Sequence, residues 1–260
     1  MVFGLDVFTQ HFQGFENRYV LIGGTACELV LAEYGQSFRV TKDLDIVLVA
    51  ETVDAAYVAR FLEFVELGGY RHASRSSNSQ QYYRFDAPNV SSYPAMLELF
   101  SRRPGAFAAV DTHLGRVRVE DAPHSLSAIL LDDDYYLLLQ QGTTRIQGLP
   151  VLDLEHLPVF KMKAWLELTA AKARGEHVNT GDIAKHKNDV FRLTSAIEPD
   201  ARIRLPDTVG HDVSEFLDGV PLLPNDLSNL GIRGYTPDEL LTLIASIYST
   251  SVDKSAIYSG

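Results

Sequence analysis

A chain of 260 residues with 46% apolar side chains and a net charge of −11 carries enough apolar material for one large globular domain or two modest ones. The acidic balance argues against broad affinity for nucleic acid, which needs clustered Lys and Arg against phosphate. The single cysteine excludes an intramolecular disulfide. Its place in the apolar run from Tyr19 to Leu31 makes Cys27 a packed thiol in a reducing, cytoplasmic setting, with no charged-then-apolar leader and no run near the ~18 residues of a membrane span.

Leu5 to Phe15 reads as an opening helix, and Tyr19 to Ile22 as a short strand ending at Gly23-Gly24. Thr25 then begins a helix with apolar positions at Ala26, Leu29, Val30 and Ala32 to Tyr34, stopped by Gly35. Ile46 to Val49 is β-branched and apolar enough for a buried strand, and Asp54 to Leu67 is amphipathic with helical spacing. Ser74 to Gln80 is polar enough for a loop. Strands are expected at Gln81 to Phe85, Ala95 to Phe100, Arg116 to Glu120 and Tyr135 to Gln140. From Leu154 the pattern turns helical: Glu155 to Arg174, then Asp182 to Thr194 with Thr180 as N-cap, then a helix opened by Thr236-Pro237-Asp238-Glu239. A boundary there divides the chain into 1–153 and 154–260, and no internal repeat is present.

Asp43-Leu44-Asp45 heads an apolar strand, where side chains alternate faces, so both carboxylates project one way and Leu44 the other. Two like charges so close are stabilised by a cation between them, and hard oxygen ligands favour Mg²⁺ over zinc. Alone, such a pair is better read as two exposed acids balanced by Arg39 and Lys42. Gly23-Gly24-Thr25 changes that weighting, because a side-chain-free strand-to-helix turn lets backbone N–H groups approach phosphate. It is neither a P-loop nor a dinucleotide fingerprint. Glu98, between Met96 and Phe100 on one strand face, needs a partner. A role as the third carboxylate of a two-metal site and an ion pair with Arg84 stand near even, the two aspartates tilting the reading toward metal.

Ile22-Gly23-Gly24-Thr25-Ala26 followed by Phe38-Arg39-Val40-Thr41-Lys42-Asp43-Leu44-Asp45 resembles the AbiEii-type nucleotidyltransferases of abortive-infection toxin and antitoxin pairs. Phe160-Lys161-Met162-Lys163-Ala164 and Lys185-His186-Lys187-Asn188-Asp189-Val190 are similar to that family's second-half pattern, so the resemblance spans Tyr19 to Leu193. The glycine turn and aspartate pair are common to the DNA polymerase β superfamily; the helical lysines narrow the choice. The resemblance implies an α+β fold, a polymerase β-like core of mixed sheet flanked by helices, followed by a mainly helical C-terminal domain. It also implies metal ligands at Asp43, Asp45 and Glu98, with Glu where the family has Asp. Thr25 takes the place of the family's Ser or Thr after the double glycine, beside Gly23 and Gly24 at the nucleotide.

On the first long helix of the second half, Lys161 falls within the apolar stripe of Leu157, Phe160, Ala164, Trp165 and Leu168, whereas Lys163 falls on the polar side. An inward lysine either snorkels or meets an anion, and with the resemblance a triphosphate is the favoured anion. Lys187 is a second candidate of the same kind, and Asp189 suits a cap or a salt bridge as well as catalysis. The expected activity is Mg²⁺-dependent transfer of a nucleotide from an NTP, with tRNA as an acceptor known among relatives and a cognate antitoxin as a partner. A small-molecule or protein acceptor and a noncatalytic nucleotide-binding module are the alternatives. Arg71 with Arg75, Arg102 with Arg103, Lys172 with Arg174 and Lys185 with Lys187 are the local basic pairs, better read as faces balanced by neighbouring acids. Neither H-E-x-x-H nor G-x-S-x-G occurs.

Overall fold

The computed structural model describes residues 3–49, 51–77, 80–101, 132–221 and 227–250. The strand expected at Arg116 to Glu120 and the pair Arg102 and Arg103 lie outside them. The chain forms two compact units, one of residues 1–131 and 142–153, the other of 132–141 and 154–260.

The first unit is built on a mixed seven-stranded sheet. Its elements in chain order are α1 (Leu5–His11), β1 (Tyr19–Ile22), α2 (Gly23–Glu33), β2 (Asp43–Leu48), α3 (Ala55–Gly68), β3 (Arg71–Ser77), β4 (Gln80–Asp86) and β5 (Met96–Ser101), followed after a break by β6 (Thr143–Ile146) and β7 (Leu149–Leu152). The spatial order is β3-β4-β5-β2-β1-β7-β6. β2 runs parallel to β5 and antiparallel to β1, while β1 runs parallel to β7.

One face of this sheet is closed by aromatic packing. Tyr19 stands opposite Leu48 and Phe85 opposite Leu97, so Tyr19, Leu44, Ile46, Leu48, Leu97, Leu99, Tyr83 and Phe85 share that face, and all are buried. Phe8 of α1 meets the Tyr19 ring at 5.4 Å and Phe61 of α3 meets Phe85 at 5.3 Å, both edge-on. Such pairs add ~0.5–1.5 kcal/mol each beyond the area they bury. Asp54 caps α3 by accepting the Tyr57 N–H at 2.9 Å, and Gly69 at φ 61° ends it. By alternation Asp43, Asp45, Met96, Glu98, Phe100 and Arg84 belong to the opposite face.

Three sequence expectations are corrected here. The polar run Ser74 to Gln80 is not a loop over most of its length: Ser74 to Ser77 and Gln80 belong to the β3–β4 ladder. β3 is the edge strand, where polar side chains are the rule and only backbone pairing is needed. α1 stops at His11, four residues short of the expected Phe15. Gly23 and Gly24 are the first residues of α2 itself and not a turn before it.

The second unit holds α4 (Asp133–Gln141), α5 (Leu157–Ala173), α6 (Thr180–Thr194), β8 (Ile203–Leu205), α7 (Asp207–Gly219), α8 (Pro237–Ile247) and β9 (Tyr248–Thr250), with β8 and β9 paired in parallel. α4 replaces the strand expected at Tyr135 to Gln140. Tyr135, Tyr136, Leu138 and Leu139 are buried and Leu137 is exposed, the i, i+1, i+3, i+4 spacing of a helix face. The Asp132 carboxylate receives the Asp134 N–H at 2.9 Å, as at a helix start. A short apolar run reads equally well as strand, and the acidic residues before it are the feature that distinguishes the two. Asn179, one residue before the expected Thr180, caps α6 through the Gly181 N–H at 2.9 Å. The capping box at Thr236 and Glu239 forms as its pattern requires. The α+β class with a mainly helical C-terminal part is thus the architecture observed. No helix among the described residues is long and apolar enough to cross a membrane, and Cys27 is a buried free thiol.

Candidate functional site

The site is assembled on the sheet face opposite the aromatic core. Along β2 exposure alternates: Asp43 and Asp45 are partly exposed while Leu44 and Ile46 are buried. β5 lies beside β2 in parallel register with Asp45 opposite Glu98 and Asp43 opposite Met96. The three acids, drawn from two separate stretches of sequence, therefore share one face of two adjacent strands, whose spacing is about 4.8 Å.

The glycines are explained by the carboxylate beside them. Gly23 has φ 65°, and a Cβ there would stand 1.7 Å from Asp45 Oδ2 and 2.6 Å from its Cγ. A Cβ on Gly24 would stand 2.9 Å from the Thr41 hydroxyl. Both contacts are closer than any side-chain carbon tolerates, so the helix start presses its bare backbone against Asp45 and Thr41. Ile22 at the N-cap makes no side-chain capping bond. The first-turn N–H groups of α2, unsatisfied within a helix by construction, are thus at the aspartate edge of the sheet.

Thr25, expected beside the nucleotide, packs between α2 and β2. It is fully buried, and its hydroxyl donates to the Asp43 carbonyl at 2.9 Å. That bond ties α2 to the strand residue that carries the first carboxylate. Thr25→Val, which keeps the shape and removes the donor, is expected to cost about 0.5–1.5 kcal/mol through loss of that hydrogen bond. Urea denaturation measures this, with Thr25→Ser expected to recover most of the loss.

Glu98, 8% exposed, is bound by Arg84, whose Nε and Nη2 donate to Oε1 at 3.1 and 2.7 Å. The ion-pair alternative is thus realised. Among the described residues no cluster of three or more His, Cys, Asp or Glu side chains is assembled to hold a metal. By donor chemistry the aspartate pair suits a hard divalent ion, and Glu98 stands in register beside it with its carboxylate turned to Arg84.

In the second unit the inward lysine of α5 has an anion, and it is a protein group. Lys161 Nζ lies 3.2 Å from Asp189 Oδ2, with side chains 7% and 5% exposed. Lys161, expected at a triphosphate, makes a buried ion pair between α5 and α6. Lys187 is partly exposed on α6, with no salt bridge to a described residue. Lys163, expected on a polar face, reaches Asp212 of α7 at 3.0 Å, and the Tyr135 hydroxyl donates to the same carboxylate at 2.9 Å. Burial, and next the charge of Asp212, push the Tyr135 hydroxyl far above the ordinary phenol range. Sequence reading missed this cluster; the one signal was an acid, Asp212, at a helix position between Val209 and Val213.

Of the basic pairs, Arg71 faces Asp86 at 3.1 Å and Arg174 faces Glu176 at 2.7 Å, which favours balanced surface charge over a phosphate track.

No family model and no curated protein matches the chain. Among solved structures, an antigenic nucleotidyltransferase-like protein from Paracoccidioides brasiliensis is similar at 16% identity and a TM-score of 0.42, over 98% of this chain and 94% of that one. At that identity and overlap the likeness carries no information about chemistry.

Proposed function

We propose that the chain is a magnesium-dependent nucleotidyltransferase of the polymerase β type, moving a nucleotide from an NTP to an acceptor hydroxyl. The observation that carries this reading is the junction of Asp45 with its neighbours: one carboxylate touched by the bare helix start at Gly23 and in register with Glu98. Asp43 and Asp45 would hold magnesium, with Glu98 as the third acid. Bound there, magnesium would supply charge neutralisation of the triphosphate and a lowered barrier for in-line displacement at the α-phosphorus, with pyrophosphate leaving. The chain's own part is orientation. The α2 N–H groups at Gly23 and Gly24 would donate to phosphate oxygens at the helix start, Thr25 holds Asp43 in place, and Glu98 would accept the proton of the attacking hydroxyl.

The resemblance to AbiEii-type proteins supports the finer reading of a toxin acting on tRNA and restrained by a cognate antitoxin. The net charge of −11 supports a small-molecule or protein acceptor as an alternative. A noncatalytic nucleotide-binding module draws support from Glu98, held by Arg84 instead of standing with the aspartates as a ready ligand set.

The test is incubation of the protein and its Asp45→Asn variant with Mg²⁺, each labelled NTP in turn, and total RNA. RNA, protein and small molecules are then separated. Label on a tRNA band with the wild type, lost by at least about a thousandfold in Asp45→Asn with folding unchanged, is the expected result. Label on protein or a small molecule keeps the activity and changes the acceptor. NTP binding without transfer anywhere establishes the noncatalytic module instead.

A further inference from the structure

Arg84 stands opposite Glu98 across the β4–β5 ladder, and Glu98 stands opposite Asp45 across the β5–β2 ladder. A cation and two carboxylates thus form one row across three strands, on one face of the sheet. Glu98 is enclosed, with Met96 and Phe100 two residues away on the same face and Phe100 2% exposed. A carboxylate in that setting needs a countercharge, and its neighbour on β2 is a second negative group. Arg84 meets the need with two donors on one oxygen. Its side chain is 24% exposed against 10% for Glu98, and its long stem makes it the member able to withdraw toward solvent.

We infer that Arg84 is a positioning residue: it serves as resident counter-ion to Glu98 and competes with a divalent cation for that carboxylate, so setting how tightly the Asp43, Asp45 and Glu98 face holds the ion. The inference rests on the proposed reading of that face as a magnesium site. Two effects act in the same direction. A charge-assisted contact to Oε1 must be given up before Glu98 can turn to the cation, and the guanidinium repels a cation arriving beside it.

Arg84→Met retains a long unbranched side chain and removes both effects. With Mn²⁺ as the probe, chosen because it shares the oxygen-ligand preference of magnesium, free ion is measured by electron spin resonance on the full chain at fixed ionic strength. Arg84→Met is expected to bind about tenfold more tightly than the wild type, Arg84→Lys to fall between them, and Glu98→Gln to bind more weakly. A loss of packing alone would not tighten binding. If Arg84→Met fails to fold, Arg84→Lys decides: binding tighter than wild type supports the inference, and equal or weaker binding overturns it. Unchanged or weaker binding in a folded Arg84→Met, with wild-type binding abolished by Asp45→Asn, overturns the role of Arg84 and leaves the magnesium reading standing. Absence of wild-type binding, or binding indifferent to Asp45→Asn, overturns both.

Discussion

Under the proposed function, Gly23→Ala is expected to reduce nucleotide transfer by about a hundredfold or more while leaving a folded protein. The added Cβ would fall 1.7 Å from Asp45 Oδ2 and 3.0 Å from Asp45 Cβ. The carboxylate is the end of a side chain and can rotate away, so the sheet survives, but that carboxylate is then moved from its place beside Glu98. The positive φ of 65° at this position adds about 1–2 kcal/mol of strain for any L side chain. Gly24→Ala is the comparison: its new Cβ would stand 2.9 Å from the Thr41 hydroxyl and 3.2 Å from Thr41 Cβ, so it crowds Thr41 and not a carboxylate, and its φ is not positive. Initial rates and Mn²⁺ binding on the two variants separate the cases. Wild-type cation binding in Gly23→Ala would show that the glycine does not position Asp45.

Lys161→Met and Asp189→Leu will each destabilise the protein by about 3–5 kcal/mol, and the double variant will recover most of that loss. Lys161 and Asp189 lie almost wholly inside the second unit, 3.2 Å apart, so removing either takes the opposite charge away from a buried ion. Removing both exchanges an ion pair for apolar contact. Urea transitions on the three variants give the coupling directly. A triphosphate role for Lys161 makes the opposite prediction: Lys161→Met would hold its stability and lose NTP affinity, while Asp189→Leu would have no matching effect.

These two cases also mark how far local sequence carries. That Lys161 points inward follows from its angular place among Leu157, Phe160 and Ala164. Which anion it meets does not, because Asp189 lies 28 positions further along and is brought near only when α5 and α6 pack side by side. Asp43 and Asp45 are legible as a one-faced pair from strand alternation alone. Their relation to Glu98 depends on β5 pairing with β2 in parallel, and a shift of one residue would turn Glu98 to the aromatic face. Both roles weighed for Glu98 were readable; the choice of Arg84 as its partner in this structure came from the β4–β5 register. Thr25 lies where its motif puts it, yet its hydroxyl bonds to a strand carbonyl, a matter of how closely α2 seats on β2.

α4 shows the same division at the level of secondary structure. Five consecutive positions of Tyr and Leu from Tyr135 carry too little periodicity to separate strand from helix, and the burial of Tyr135 against α5, 5.5 Å from the Phe160 ring, belongs to the folded second unit. Sequence by itself determined what periodicity and covalent chemistry can encode: the alternating aspartates, the glycines that only a crowded backbone requires, the capping box at Thr236, the apolar faces of the long helices. Tertiary structure decided which groups separated by tens of residues became partners, because pairing register and helix contact depend on the free energy of the whole packed unit and leave no mark on either partner's own neighbours.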